Sequence, residues 1–296
     1  MIKLLKKIIK FLNPLSGYRA LKEENRFILY ELKRINETMR YQTYSEAIML
    51  ETDAVQTRSS FDFQWNKIPE SFAMTHNEDL ALIQNDICRF TDKPAAWFAG
   101  KRVADIGCGE GRFSYGLLSL GAIVDSFDQS EWALKRVRKL CQPFDDRLNT
   151  EQKNLLTWDE ELEYDLVFCF GVVHHTGNTY LAMRNVARKV KLGGDLFLMV
   201  YGFPVNSVDF FELTSYENLR HELRNHSFDE RKNILEHRFG PQAHGWFDAV
   251  SPRINDLLSY NEIEEFLGNF GFENIHPTVK TRNHHIAARK GIPKSV

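Results

Sequence analysis

Val103-Ala104-Asp105-Ile106-Gly107-Cys108-Gly109-Glu110-Gly111 is a short apolar run that ends in three glycines at alternate positions. The run has the composition of a buried strand, and glycine lets a chain turn sharply as it leaves one. Without a Cβ, the backbone can also lie directly against a ligand. A second apolar run, Ile123–Asp128, ends in a carboxylate. An acid at that place can accept hydrogen bonds from two ribose hydroxyls, so strand, glycine turn and acid together place a nucleoside-bearing cofactor.

The spacing narrows the choice of cofactor. A dinucleotide site prefers G-x-G-x-x-G, with a helix N-terminus aimed at the pyrophosphate. Here the third glycine comes one residue early, and Glu110 inside the loop would repel a phosphate. A cationic or neutral ligand fits this loop better than NAD.

Around the loop, short apolar runs alternate with helical stretches, as a doubly wound α/β sheet requires. Lys101–Ile106 reads as the first strand, Phe113–Leu120 as a helix, Ile123–Asp128 as the second strand and Glu131–Leu140 as a helix. A weak third strand is expected at Thr150–Asn154 and a strong fourth at Tyr164–Phe170. A helix over Tyr180–Val190, a glycine stop at Lys191–Gly194 and a fifth strand at Asp195–Tyr201 follow. Residues 203–259 interrupt the alternation and read as a mostly helical insertion, placed to form a lid or substrate wall. Tyr260–Phe270 is expected to be a helix, and strands near Glu273–Lys280 and His284–Arg289 finish the sheet.

The N-terminal part is different. Residues 1–12 combine an apolar stripe (Ile2, Leu5, Ile8, Ile9, Leu12) with Lys3, Lys6, Lys7 and Lys10. This is a short basic amphipathic helix that either lies on an anionic membrane surface or docks on the domain; it is too interrupted to span. A second helix is expected over 18–49, where Tyr18, Leu21, Asn25, Ile28, Leu32, Ile35 and Met39 form a heptad stripe. That stripe serves either a homo-oligomer or packing on the domain. Residues 50–94 read as a lead-in, and the aromatics of Phe61-Asp62-Phe63-Gln64-Trp65 either close over the cofactor or anchor the segment.

Composition sets the outer bounds. The 296 residues, 43% of them hydrophobic, suffice for one large domain with additions. The net charge is −2 with the four lysines of the first ten residues included, so the remainder is more acidic and a poor electrostatic match to nucleic acid. Cys88, Cys108, Cys141 and Cys169 have no pair or metal spacing, which suits a reduced cytoplasmic setting and predicts no metal.

In its motifs the chain resembles the class I S-adenosylmethionine-dependent methyltransferases. Asp105-Ile106-Gly107-Cys108-Gly109-Glu110-Gly111 matches their acid-x-G-x-G-x-G first motif, and Tyr164–His175 looks like their fourth-strand motif. Val190–Gly194 resembles their post-helix turn, with Leu192 where proline is usual. The resemblance implies a Rossmann-like methyltransferase fold, a mostly parallel seven-stranded sheet, over residues 95–290. It also implies S-adenosylmethionine as cofactor. Asp105, Gly107, Gly109 and Gly111 would form the loop, Asp128 would bind ribose, Asn154 and Leu155 would meet adenine, and Phe170 and Gly171 would line the methionine end. His244–Arg253 is similar to a substrate-side segment of bacterial methyltransferases of surface-polysaccharide and secondary pathways. His175, and after it His174, follow the fourth strand and are the candidate bases, since a neutral imidazole can take a proton from an attacking hydroxyl or amine. His284 and His285 are expected to be structural. The resulting expectation is O-methylation of a small or lipid-linked acceptor, a sugar among the candidates, by a cytoplasmic enzyme at the inner membrane surface. A tRNA methyltransferase and a non-catalytic cofactor-binding scaffold are the alternatives.

Overall fold

The computed structural model describes residues 46–69 and 77–292, with side chains from 52 and from 79 onward in the two segments. The chain divides into two compact units, 1–52 and 53–296, and nearly all of the described residues belong to the second. The basic helix expected at 1–12 and most of the stripe expected at 18–49 lie outside the described residues.

Helix α1 (Glu46–Lys67) and helix α2 (Asn77–Thr91) precede the sheet. Helix α1 therefore runs past Met49 and through the segment read as a lead-in. On α1 the buried positions Thr57, Ser60 and Gln64 are polar, so its inward face has no apolar period to detect. On α2, Ile83, Ile87 and Phe90 are buried at helical spacing.

Strand β1 (Arg102–Ile106), α3 (Arg112–Ser119), β2 (Ile123–Asp128), α4 (Glu131–Leu140), β3 (Leu148–Gln152), β4 (Tyr164–Phe170), α5 (Thr179–Ala187) and β5 (Val190–Val200) form the alternating part. The insertion holds α6 (Ser207–Leu223), α7 (Phe228–Phe239) and α8 (Ala243–Val250). Helix α9 (Tyr260–Asn269), β6 (Phe272–Lys280) and β7 (His284–Lys290) close the fold. The seven strands lie in the order β3-β2-β1-β4-β5-β7-β6, with β7 antiparallel to both neighbours and the first five parallel. Apolar clusters cover both faces, which is why β1 and β4 read as continuous hydrophobic runs. The strand order reverses between β1 and β4, and loops leaving those two strands open a crevice there.

Three elements end or begin elsewhere than expected: β3, β5 and α5. Strand β3 stops at Gln152, two residues early, because the Asn154 carbonyl accepts from the N–H groups of Thr157 and Trp158 and turns the chain. Strand β5 begins at Val190, which pairs with Tyr164, and the register resumes only at Leu166 with Asp195. Lys191–Gly194 is thus a bulge within the strand. A Cβ on Gly194 would come 2.9 Å from the Tyr164 carbonyl oxygen, so glycine is needed where the bulge crosses its neighbour. Helix α5 ends before Lys189, whose buried ammonium donates to the carbonyls of Trp158 at 3.2 Å and Glu160 at 2.7 Å.

The insertion has its own small core, in which Leu223, Leu235, Phe247 and Val250 pack with Ile68 of the segment after α1. Helix α1 is fastened to the end of α8 by polar contacts. Thr57 Oγ1 accepts from the N–H groups of Arg253 and Ile254 at 3.2 and 3.1 Å. Gln56 accepts from Arg253 N–H at 3.0 Å and donates to the Ser251 carbonyl at 2.9 Å. These bonds hold α1 and the insertion over the C-terminal ends of the parallel strands.

Candidate active site

A cavity of about 540 Å³ lies at the β1/β4 crevice. Its floor is the loop after β1, where Gly107 and Gly109 have φ of +71° and +52°. A Cβ at Gly107 would overlap Val172, and one at Gly109 would fall 2.9 Å from the Trp65 ring. Asp128, at the end of β2, reaches back to this loop: Gly109 N–H donates to its Oδ2 at 3.0 Å and Ser130 N–H to its Oδ1 at 2.9 Å. Burial raises its carboxyl to about 6, against the pull of those two N–H groups.

One end of the cavity is flanked by Phe127, Lys153, Asn154, Leu155, Leu156 and Trp158. Phe127 and Trp158 pack with ring centroids 4.4 Å apart, giving this end an apolar wall suited to a planar base. Asn154 Oδ1 accepts from Leu156 N–H at 3.0 Å, so the side chain braces the turn it lines. The other end is walled by Phe170, Gly171, Met199 and Tyr201 from the sheet, and by Phe61, Gln64 and Trp65 from α1. His244, Gly245 and Asp248 of α8 also line it.

The titratable groups at that end are desolvated. Burial lowers His175 to about 4, so the imidazole is neutral throughout the physiological range. Its Nδ1 lies 2.8 Å from the Ile254 carbonyl, which fixes Nδ1 as the protonated nitrogen and leaves Nε2 with a lone pair. Burial raises Asp248 to about 6, opposed by Arg112 and by a hydrogen bond from Gln64. Gln64 Nε2 also lies 2.9 Å from His244 Nε2.

The residues singled out from the sequence separate into two groups. Gly107, Gly109, Asp128, Asn154, Leu155, Phe170, Gly171 and His175 line the cavity. Asp105, Gly111 and His174 stand behind it. Asp105 is buried below the loop, accepts from Ser114 Oγ at 2.6 Å and is raised to about 7 by burial. Gly111 caps α3 at φ +91°, and its Cβ position faces Val137 of α4 at 3.0 Å, so its glycine serves helix packing. His174 stacks on Tyr201 with centroids 3.8 Å apart, and both of its buried ring nitrogens lack a hydrogen-bond partner among the described residues.

Phe61, Trp65, Trp158, Tyr201, His244 and Asp248 were missed as individual positions. In the aromatic run at 61–65, Phe61 and Trp65 line the cavity, while Phe63 stacks on Phe247 at 5.6 Å. The segment His244–Arg253 likewise splits, with His244, Gly245 and Asp248 at the cavity and Ser251 and Arg253 holding α1.

Fold and site together define a nucleoside-binding α/β domain with a covered crevice. The family model described as a methyltransferase domain matches residues 80–276, and the chain belongs to that family, among the class I S-adenosylmethionine-dependent methyltransferases. It is 28% identical over 171 residues to a ubiquinone biosynthesis O-methyltransferase of Pseudomonas savastanoi pv. phaseolicola, covering 56% of this chain and 71% of that protein. It is 33% identical over 102 residues to the protein of the same name from Dechloromonas aromatica, covering 34% and 44% of the two chains. The match thus spans less than half of the latter's length. Among solved structures, magnesium protoporphyrin IX methyltransferase from Synechocystis PCC 6803 with bound SAM aligns at TM-score 0.49 and 16% identity, over 81% of this chain and 97% of that one.

The cavity fits S-adenosylmethionine. Its volume is in the range of small-ligand sites, the bare loop at Gly107 and Gly109 leaves no room for side chains, and the donor set is a carboxylate beside an apolar wall.

Proposed function

We propose that the protein transfers the methyl group of S-adenosylmethionine to a hydroxyl of a small or lipid-linked acceptor. The observation that carries this is Asp128, held by Gly109 N–H across the glycine loop and presented to a covered cavity. Asp128 would take the ribose hydroxyls. Asn154 and Leu155 would hold adenine against Phe127 and Trp158, and Phe170 and Gly171 would flank the methionine portion. The cofactor supplies an electrophilic methyl on a sulfonium. The protein's contribution is orientation in a site roofed by α1 and α8, and a proton acceptor. His175 Nε2 would receive the proton of the attacking hydroxyl, its ring held by Ile254 and edged by Phe61 at 5.1 Å. Oxygen as acceptor is supported by the names of the relatives and by the neutral imidazole.

Incubation with methyl-labelled cofactor and separated cell fractions tests the reading. Label is expected in the lipid, carbohydrate or small-metabolite fraction. Label confined to RNA, or cofactor binding with no transfer to any fraction, would overturn it. The lysines of residues 1–12, each worth about 1 kcal/mol near an anionic surface, support a site of action at a membrane. Equal sedimentation of the full chain and a chain lacking these residues with anionic vesicles would remove that part.

A further inference from the structure

Between the end of β3 and the start of β4 the chain has neither helix nor strand, and Leu155, Leu156 and Trp158 of this segment wall one end of the cavity. Without regular structure, its carbonyl groups must find partners elsewhere. Two side chains, one in α5 and one just beyond it, supply them. Asn185 Nδ2 donates to the Leu155 carbonyl at 2.8 Å and, at 3.4 Å, to that of Leu156. Lys189 Nζ donates to the carbonyls of Trp158 and Glu160. The same ammonium lies 3.9 Å from the centre of the Trp158 ring. Trp158 is thus held by its backbone and by its ring, and that ring packs on Phe127 to make the apolar wall.

Both donors are buried, and neither lines the cavity. Lysine is rarely buried fully without a partner, because taking an ammonium out of water costs far more than taking an alkyl chain. For packing alone, an apolar side chain of similar volume would serve at least as well. What the ammonium supplies is a hold on the wall. Its backbone is fixed on both sides: Lys189 N–H donates to the Val186 carbonyl, and its carbonyl accepts from Tyr164 N–H at the start of β4. Burial lowers the ammonium to about 8, opposed by Glu160 and Asp159 of the same segment and aided by Arg188 and Lys153. Arg188 is paired with Glu161 at 2.9 Å, and Lys153 with Glu151 at 2.8 Å, a bond that raises the Lys153 ammonium. Of the two amines, Lys189 is therefore the one that changes charge near pH 8.

We propose that Lys189 is a positioning residue for the cofactor: with Asn185 it holds the segment from Leu155 to Glu160 in the shape that receives the purine, and its positive charge sets part of the cofactor affinity. The wall is then formed before the cofactor arrives, and binding does not have to order it. Removing the charge loosens the wall, and the ordering falls to the binding step. By linkage, binding that favours the charged form tightens the hold of Lys189 on its proton, so cofactor affinity falls as pH rises past the titration of the free chain. The inference rests on the apolar end of the cavity being the adenine site.

The test is calorimetry with S-adenosylhomocysteine on the full chain at pH 7 and 9.5, with a urea midpoint for each variant. Lys189→Met, which removes the charge and keeps most of the side-chain length, is expected to bind about 10-fold more weakly than wild type at pH 7 and within about twofold of it at pH 9.5. Taking the ratio of the two chains cancels the titration of the ligand's own amine. Asn185→Leu should also bind more weakly, but by the same factor at both pH values, since it still carries Lys189. A role in stability alone would lower the urea midpoints and leave both ratios near one. Lys189→Gln serves where Lys189→Met does not fold. The wild-type chain gives a readout of its own: binding of 5′-methylthioadenosine, which has no amine, should take up about half a proton at pH 8.5, seen as a heat that changes with the buffer. Unchanged affinity in a folded Lys189 variant, a loss that is the same at both pH values, or no proton uptake with the nucleoside would each overturn the proposal. A wild-type chain that does not bind S-adenosylhomocysteine at all would instead strike the cofactor reading.

Discussion

His175 shows how far burial moves a residue from its sequence-level reading. An ordinary imidazole would give a rate that rises with pH through about 6–7. Desolvation places this one near 4, so the limb belonging to His175 lies near 4 and the group is already neutral above it. His175→Ala should retain cofactor affinity and lose roughly 10²–10⁴ in turnover. A limb near 6 that vanishes in Asp248→Asn would belong to Asp248, which burial raises to that value. Initial rates of the three proteins between pH 4.5 and 8.5 check this, and normal turnover by His175→Ala would refute the base. Gly107, Gly109 and Asp128 were legible because the glycine spacing and the acid at the strand end each answer a local demand of the backbone. The sequence ranked His175 ahead of His174 without excluding His174 or Gly111: the two imidazoles lie only 4.3 Å apart, and packing alone decides which of them reaches the cavity.

At the level of elements, α1 is held over the crevice by side chains rather than by an apolar stripe. Thr57→Val removes the hydroxyl oxygen that accepts from Arg253 and Ile254 N–H while keeping its volume. Ile254 N–H then loses its acceptor while Arg253 N–H keeps Gln56, a loss of about 1–3 kcal/mol in the attachment of α1. Hydrogen exchange in residues 53–67 should quicken, and cofactor affinity should fall because Phe61, Gln64 and Trp65 leave the cavity wall. Unchanged exchange would show that α1 is held by other contacts. Strands β1, β2, β4 and β5 and helix α9 were legible because their apolar runs and caps are local, such as the Ser259 and Glu262 capping box, whereas the insertion was read only from the break it makes in the alternation. Helix α1 was not, since its buried Thr57 and Gln64 find their partners Ile254 and His244 only in the insertion, 197 and 180 residues later in the chain.

Over the whole molecule, two sets of buried groups pull stability in opposite directions with pH. The folded state lowers His174 well below its ordinary 6.5 by burial, so the unfolded chain binds more protons there, and stability present above 6.5 is lost as pH falls. Asp105 is raised from 3.8 to about 7, so the folded state binds the extra proton and stability falls as pH rises from about 4 to 7. His174→Phe should therefore soften acid destabilisation, and Asp105→Asn should flatten the decline toward neutrality. Urea midpoints at pH 5 and 8 separate the two, and parallel shifts in both variants would contradict the assignment. The central claim concerns the cavity itself, and calorimetry with S-adenosylhomocysteine at pH 7.5 tests it most directly. Binding at one site per chain is expected, weakened about 10- to 150-fold by Asp128→Ala through loss of the hydrogen bonds to its charge, with no heat from NAD. Tight NAD binding by a folded chain that gives no heat with S-adenosylhomocysteine would contradict it.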